Sequence, residues 1–124
     1  MTKYTDLIAI EDILNEYSRD IQDGITAKAI EVAEQGKNEL RTTSPKKTGD
    51  YRKGWRVDKK NGNGYVHTTI YNATDWQLTH LLEKPHLKRD GKTYTKPKVH
   101  IAPVEEKCIA EYKKGVEQVI ENGG

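Results

Sequence analysis

The side chains in this chain that could do chemistry are four histidines, one cysteine, one adjacent pair of glutamates and a basic loop with an aromatic residue in it. His67, His80, His86 and His100 never form a paired ligand set such as His-x3-His. Tetrahedral zinc needs three or four converging nitrogen or sulfur ligands, and a lone cysteine does not supply them. Cys108 shares a helical stripe with Val104 and Tyr112, which reads as a small buried hydrophobe rather than a nucleophile. Being single, it excludes an intramolecular disulfide and suits a reducing compartment. Glu105-Glu106 looks like a catalytic carboxylate pair, but acids in the first turn of a helix are explained more simply by the helix dipole. No Gly-rich phosphate loop joins a strand to a helix, and no nucleophile elbow occurs. The expectation is a protein that is not an enzyme and carries no cofactor or metal.

Binding chemistry has more to stand on. Residues 84–98 hold Lys84, Lys88, Arg89, Lys92, Lys96 and Lys98, together with Tyr94 and His86. Bases interleaved with an aromatic ring can follow phosphates and stack on nucleobases. The stretch has no RNA-recognition or helix-turn-helix signature, and a basic loop also suits an acidic protein partner. Charge is uneven along the chain although the net is only +2. Residues 1–36 sum to −5, 37–60 to +6, 83–100 to +4 and 101–124 to −2. The helical stretches are therefore acidic, while the corner near residue 50 and the long loop are basic. Such asymmetry suits a molecule that docks by sign, against another subunit or nucleic acid, and it equally suits ordinary solvated faces.

At 124 residues the chain has the length of one domain. Its hydrophobic share is 34% and its charged share 32%, with no Phe, and mean hydropathy is −0.91. That is a lean core. Two readings stay open: subunits that complete one another's cores, or a modest monomer whose two Trp and seven Tyr carry the packing. The first residues, Met-Thr-Lys-Tyr-Thr-Asp, lack an apolar signal core, and no run approaches membrane-spanning length. No membrane association is expected.

The elements that must position these groups follow from periodicity. Ile10, Ile13, Leu14, Tyr17, Ile21, Ile25, Ala29, Val32, Ala33 and Leu40 recur at three- and four-residue steps, which predicts a long helix, bent or broken near Gly24. Residues 1–9 read as a loose arm. The segment Pro45-Lys46-Lys47-Thr48-Gly49-Asp50-Tyr51-Arg52-Lys53-Gly54-Trp55 is a corner: Pro45 ends the helix and Gly49 permits a reversal. Arg52, Lys53 and Trp55 are expected to open a strand. Residues 54–58 and 65–71 read as paired strands joined by Asn61-Gly62-Asn63-Gly64, a strong hairpin signal. A short helix capped by Thr74 or Asp75 is expected to run to about Glu83. The polar loop follows, then a short strand at Val99–Ile101, then a last helix with Pro103 in its first turn. The fold class is α+β: a long N-terminal helix, an antiparallel hairpin or small sheet, a short middle helix and a C-terminal helix packed on the sheet. One domain spans 10–121, and 122–124 form a tail.

The order of these features resembles a known family. The corner "SPKKTGDYRKGW" precedes a hairpin, then "NATDWQLTHLLEKPH", then "KPKVHIAPVEEKCIAEYKKGV". This is similar to the small head–tail joining, or tail-completion, proteins of long-tailed double-stranded DNA phages and prophages. In that family a Pro-x-x-Thr-Gly corner leads into a basic, aromatic strand. A helix ending in Leu-Glu-x-Gly-His, a Gly-rich basic loop and an Ile-x-Pro-Ala-Glu-Glu helix start follow it. Pro85 stands here where Gly is usual, and Val104 where Ala is usual. The resemblance implies a non-enzymatic virion component at the head–tail junction, made in the host bacterial cytoplasm. Its partners would be the tail terminator, the tail tube and the head-closure protein, with self-association into a ring and contact with DNA in the channel. The corresponding contact residues are Lys46, Lys47, Tyr51 and Arg52 in the corner, and His86, Lys88, Arg89, Lys92 and Tyr94 in the loop. Two other classes compete with it, a nucleic-acid-binding regulator and a small ribonuclease-type toxin.

Overall fold

The computed structural model describes residues 8–45, 49–74, 79, 82–83, 87–94 and 96–123. Its elements are β1 (Ile8–Ile13), α1 (Arg19–Thr43), α2 (Asp50–Lys53), β2 (Trp55–Lys59), β3 (Tyr65–Asn72) and α3 (Ile101–Asn122). The strands form one antiparallel sheet in the order β1-β3-β2. Both long helices cover one face of it, which makes a two-layer α+β fold.

The first element differs from expectation. Ile10 and Ile13 are not helical but belong to β1, and Ile8 and Ala9, counted with the arm, open that strand. The physical reason is alternation: Ile8 and Ile10 are buried while Ala9 and Glu11 are exposed, a period of two. The three-residue step from Ile10 to Ile13 imitates a helix, but Ile13 points to solvent with 69% of its surface accessible. Helix α1 begins only after Ser18, whose hydroxyl accepts the Ile21 N–H at 3.4 Å. From there the helical stripe holds, and Ile25, Ala29, Val32, Ala33, Gly36 and Leu40 are all buried.

The hairpin forms as the sequence indicates. Lys60 N–H donates to the His67 carbonyl at 2.9 Å, and Asn61 Oδ1 accepts from His67 N–H and Thr68 Oγ1 at 2.8 and 2.9 Å. Gly64 takes a φ of 82°, the left-handed conformation that favours glycine. In register, Ile8 faces Ile70, which faces Val57, so one apolar row crosses the sheet on its inner side.

Gly36 sets how closely α1 and α3 approach. A Cβ there would lie 2.7 Å from Cys108 Sγ and 2.9 Å from Ile70 Cδ1. Gly36, which weakens α1 as a helix, thus lets α3 and the sheet reach it. Val104 and Cys108 fill this contact, and Ile101 is buried in the same core. No strand forms at Val99–Ile101; Ile101 is already the first residue of α3. The short middle helix expected over 75–83 falls mostly outside the described residues, although Thr79, Leu82 and Glu83 within it are helical. Among the described residues, no helix is long and apolar enough to cross a membrane.

Candidate assembly interface

The corner is held by polar atoms that its own residues supply. Helix α1 stops at Ser44, whose hydroxyl donates back to the Leu40 carbonyl and accepts the Trp55 indole N–H at 2.8 Å. Arg52 Nε donates to the Ser44 carbonyl at 2.5 Å. Gly49, at a φ of 91°, turns the chain into α2. Arg52 and Lys53, expected in a strand, therefore sit in a single helical turn, and the strand starts at Trp55. The turn brings Tyr51 and Trp55 inward together. Both are buried, with ring centroids 5.5 Å apart. Two rings of that size contribute on the order of 3 kcal/mol each by burial alone.

His100 completes this cluster. Its ring lies edge-on to Tyr51 at 5.5 Å and to Trp55 at 6.4 Å. Nδ1 faces two acceptors, the Lys98 carbonyl at 2.7 Å and Glu83 Oε1 at 2.8 Å, so Nδ1 carries a proton. The Tyr51 hydroxyl meets Nε2 at 2.6 Å. The Glu83 carboxylate also accepts the main-chain N–H groups of His100, Ile101 and Ala102 at 2.6, 3.0 and 3.3 Å. It thus caps α3 from outside the helix, because His100 at the N-cap offers no side-chain bond of its own. The first turn of α3 contains no acid, so Glu105 and Glu106 do not fill the dipole role expected of them. Glu83, brought in from a different element, fills it.

Sequence reading missed Glu83 and His100 as a pair. Each stands in one of the ordered motifs, and the structure joins them: the corner, the helical residue Glu83 and the start of α3 close one largely buried network through Tyr51, Glu83 and His100. Tyr51, expected as a contact residue, is only 1% exposed and belongs to this network. Arg52 is half-buried and anchors the corner. Lys46, Lys47 and His86 lie outside the described residues.

The remaining candidates come together on one projecting turn. Leu87 and Tyr94 form an antiparallel bridge, and Lys88 N–H donates to the Thr93 carbonyl at 2.8 Å. Asp90 Oδ1 accepts from the N–H groups of Lys92 and Thr93 at 2.9 and 3.0 Å, and the Thr93 hydroxyl donates to Oδ2 at 2.7 Å. The bond from Lys92, then those from Thr93, hold the Asp90 carboxyl below its ordinary range. Gly91 takes a φ of 71° at the tip. The basic loop is thus a pinned turn that displays Lys88, Arg89 and Lys92 beside Leu87 and Tyr94, which are 51% and 64% exposed.

Cys108 sits between α1 and α3, where burial pushes its thiol up to about 11. Burial, followed by donation to Asp12 Oδ2 at 2.9 Å, raises the Tyr112 phenol as well. Among the described residues, no group of three or more His, Cys, Asp and Glu side chains could hold a metal ion.

No curated protein and no solved structure matches the chain. A family model described as "Bacteriophage HK97-gp10, putative tail-component" matches residues 8–84. The matched span opens on the first residue of β1, contains the corner and the hairpin, and closes one residue after the carboxylate that caps α3. It covers more than half of the sequence, and the chain belongs to this HK97-gp10-like family of bacteriophage tail components.

Proposed function

We propose that this phage structural protein completes the tail at the end that meets the head, making it competent to join a DNA-filled head. Its work on this reading is assembly rather than catalysis, with the tail terminator, the tail tube and the head-closure protein as neighbours. The observation that carries the reading is the division of labour between two sets of side chains. Tyr51, Trp55, His100 and Glu83 are spent inside the network that ties corner to helix. Displayed outward are the bases and apolar side chains of the 87–94 turn, a combination suited to docking on an acidic, partly apolar protein surface. Deleting the gene from its phage tests this: tails and filled heads should accumulate unjoined. Joined, infectious particles from the deletion would overturn it.

The same turn supports a second reading, contact with DNA in the channel, because Lys88, Arg89 and Lys92 stand beside an exposed Tyr94. That reading expects salt-sensitive DNA binding by the purified protein, with a slope that falls when the three bases are neutralised. Binding that is absent at low salt would remove it.

A further inference from the structure

The sheet has two free edges, and its register assigns every hydrogen-bonding group on them. Leu14 N–H donates to the Gly64 carbonyl at 2.7 Å in line with the β1–β3 pairing, so the even-numbered residues of β1 bond to β3. Ala9, Glu11 and Ile13 consequently turn their N–H and C=O groups outward. On the other side, Ala73 N–H donates to Gly54 and Lys60 N–H to His67, so Trp55, Val57 and Lys59 are the outward residues of β2. Two outward groups are already occupied. Asp12 Oδ1 accepts the Ile13 N–H at 2.9 Å, and the Arg41 and Arg56 guanidiniums share the Trp55 carbonyl, each at 3.0 Å. Among the described residues, the outward groups of Ala9, Glu11, Val57 and Lys59 have no partner. Helix α3 does not close the β1 edge either: a groove of about 290 Å³ runs between them, lined by Ala9, Glu11, Ile109 and Lys113 among others.

We infer that copies of this chain associate by edge pairing, the β2 edge of one copy adding to the β1 edge of the next. Charge selects this arrangement over its alternatives. Strand β1 carries Glu11 and Asp12 and no base, whereas β2 and the residue after it carry Arg56, Lys59 and Lys60 against Asp58. Pairing β1 with β1 joins two acidic edges, and β2 with β2 joins two edges of net basic charge; only the mixed pair joins edges of opposite net sign. The contact is heterologous, because the two surfaces differ, and such a contact closes into a ring when the rotation between copies allows it. Both edge strands run antiparallel to β3 and hence in the same direction. A ring whose axis follows the strands therefore joins them in parallel, with Ile10 and Val57 both on the inner face. Ile13 and Ile109, 69% and 44% exposed, flank the β1 edge where the next copy arrives. The inference deepens the assembly reading by naming the surface through which copies meet, and its test is independent of the deletion phenotype.

Ala9, Thr69 and Asp58 lie in one row across the outer face, so cysteines at the two ends report the contact. Full-length Ala9→Cys and Asp58→Cys proteins are mixed under mild oxidation across rising concentrations, with the unsubstituted chain and its buried Cys108 as control. The expected result is a disulfide-linked pair in the mixture and none in either variant alone. Linkage of Ala9→Cys with itself, or none in any sample, overturns the inference. A second variant guards against mispositioned thiols. Ala9→Pro removes only an outward N–H and leaves the β1–β3 ladder intact. It should fold with an unchanged circular dichroism spectrum and weaken self-association by roughly tenfold or more in sedimentation. Undiminished association of a folded Ala9→Pro protein overturns the inference. If linkage fails while the deletion still yields unjoined tails, this contact falls and the assembly reading stands.

Discussion

Tyr51 and His100 are 49 positions apart in the chain and 2.6 Å apart in space, hydroxyl to Nε2. One bond between two buried side chains ties the corner after α1 to the entry of α3. Tyr51→Phe keeps the ring packing against Trp55 and leaves His100 Nε2 without a partner. It should destabilise the protein by about 1–3 kcal/mol, the cost of an unsatisfied buried group. Denaturant unfolding monitored by tryptophan fluorescence reads this directly, and an unchanged midpoint would show that the bond is dispensable.

Glu83→Ala removes the cap of α3, and about 1–2 kcal/mol should go with it. The local signature is more telling than the global one. Amide exchange at His100, Ile101 and Ala102 should accelerate well before that of residues in the middle of α3. Glu83→Gln, which keeps an acceptor oxygen without the charge, should fall between the two.

Gly36→Ala should destabilise although alanine is the better helix former by roughly 1 kcal/mol. The added methyl meets Cys108 Sγ and Ile70 Cδ1 inside contact distance, and overpacking of this kind costs about 1–3 kcal/mol. Because Cys108 is the nearest neighbour, Gly36→Ala combined with Cys108→Ala should be less harmful than the sum of the two single changes. Strict additivity in a double-mutant cycle would contradict the packing account.

Alkaline pH should weaken the fold. The Cys108 thiol has an ordinary value of 9.0 and is raised to about 11 in the folded chain, and the Tyr112 phenol moves in the same direction. A raised folded value contributes stability that is complete below the unfolded value and disappears as pH climbs through the folded one. Melting temperature should therefore decline between about pH 9 and 11. At pH 8 a thiol reagent should modify Cys108 only after denaturant is added.

Asp90→Ala should loosen the 88–93 turn while leaving the melting temperature unchanged, since the residue is fully exposed. In the native protein the same loosening should appear on acidification, because a lowered carboxyl stabilises above its ordinary value and stops doing so as pH falls through the folded one. Amide exchange at Lys92 and Thr93 is the measurement. On the assembly reading, Lys88, Arg89 and Lys92 changed together to Ala should reduce head–tail joining in a complementation assay with folding intact.

The sequence made the local signals readable and hid the distant ones. Asn61-Gly62-Asn63-Gly64 announced its hairpin because turn chemistry is contained in four residues. The buried stripe from Ile25 to Leu40 announced α1 because helical burial repeats within a few turns. Strand β1 was misread because a six-residue strand holding three isoleucines offers too few positions to separate a period of two from a period near four. Tyr51 sits among bases in the sequence, where a Tyr looks like a docking residue, and the fold buries it against His100. The Glu83 cap could not be seen at all, since it joins residues 17 to 19 positions apart across a loop.

The Glu83 carboxylate grips three main-chain N–H groups, and every residue other than proline offers that group. What anchors the final helix is thus largely indifferent to the identity of the side chains it anchors. The outward surface of that helix can be rewritten without disturbing its mooring, provided that its inner stripe still fits against Gly36. A protein built this way can change what its last segment presents to a neighbour while keeping the place from which it presents it.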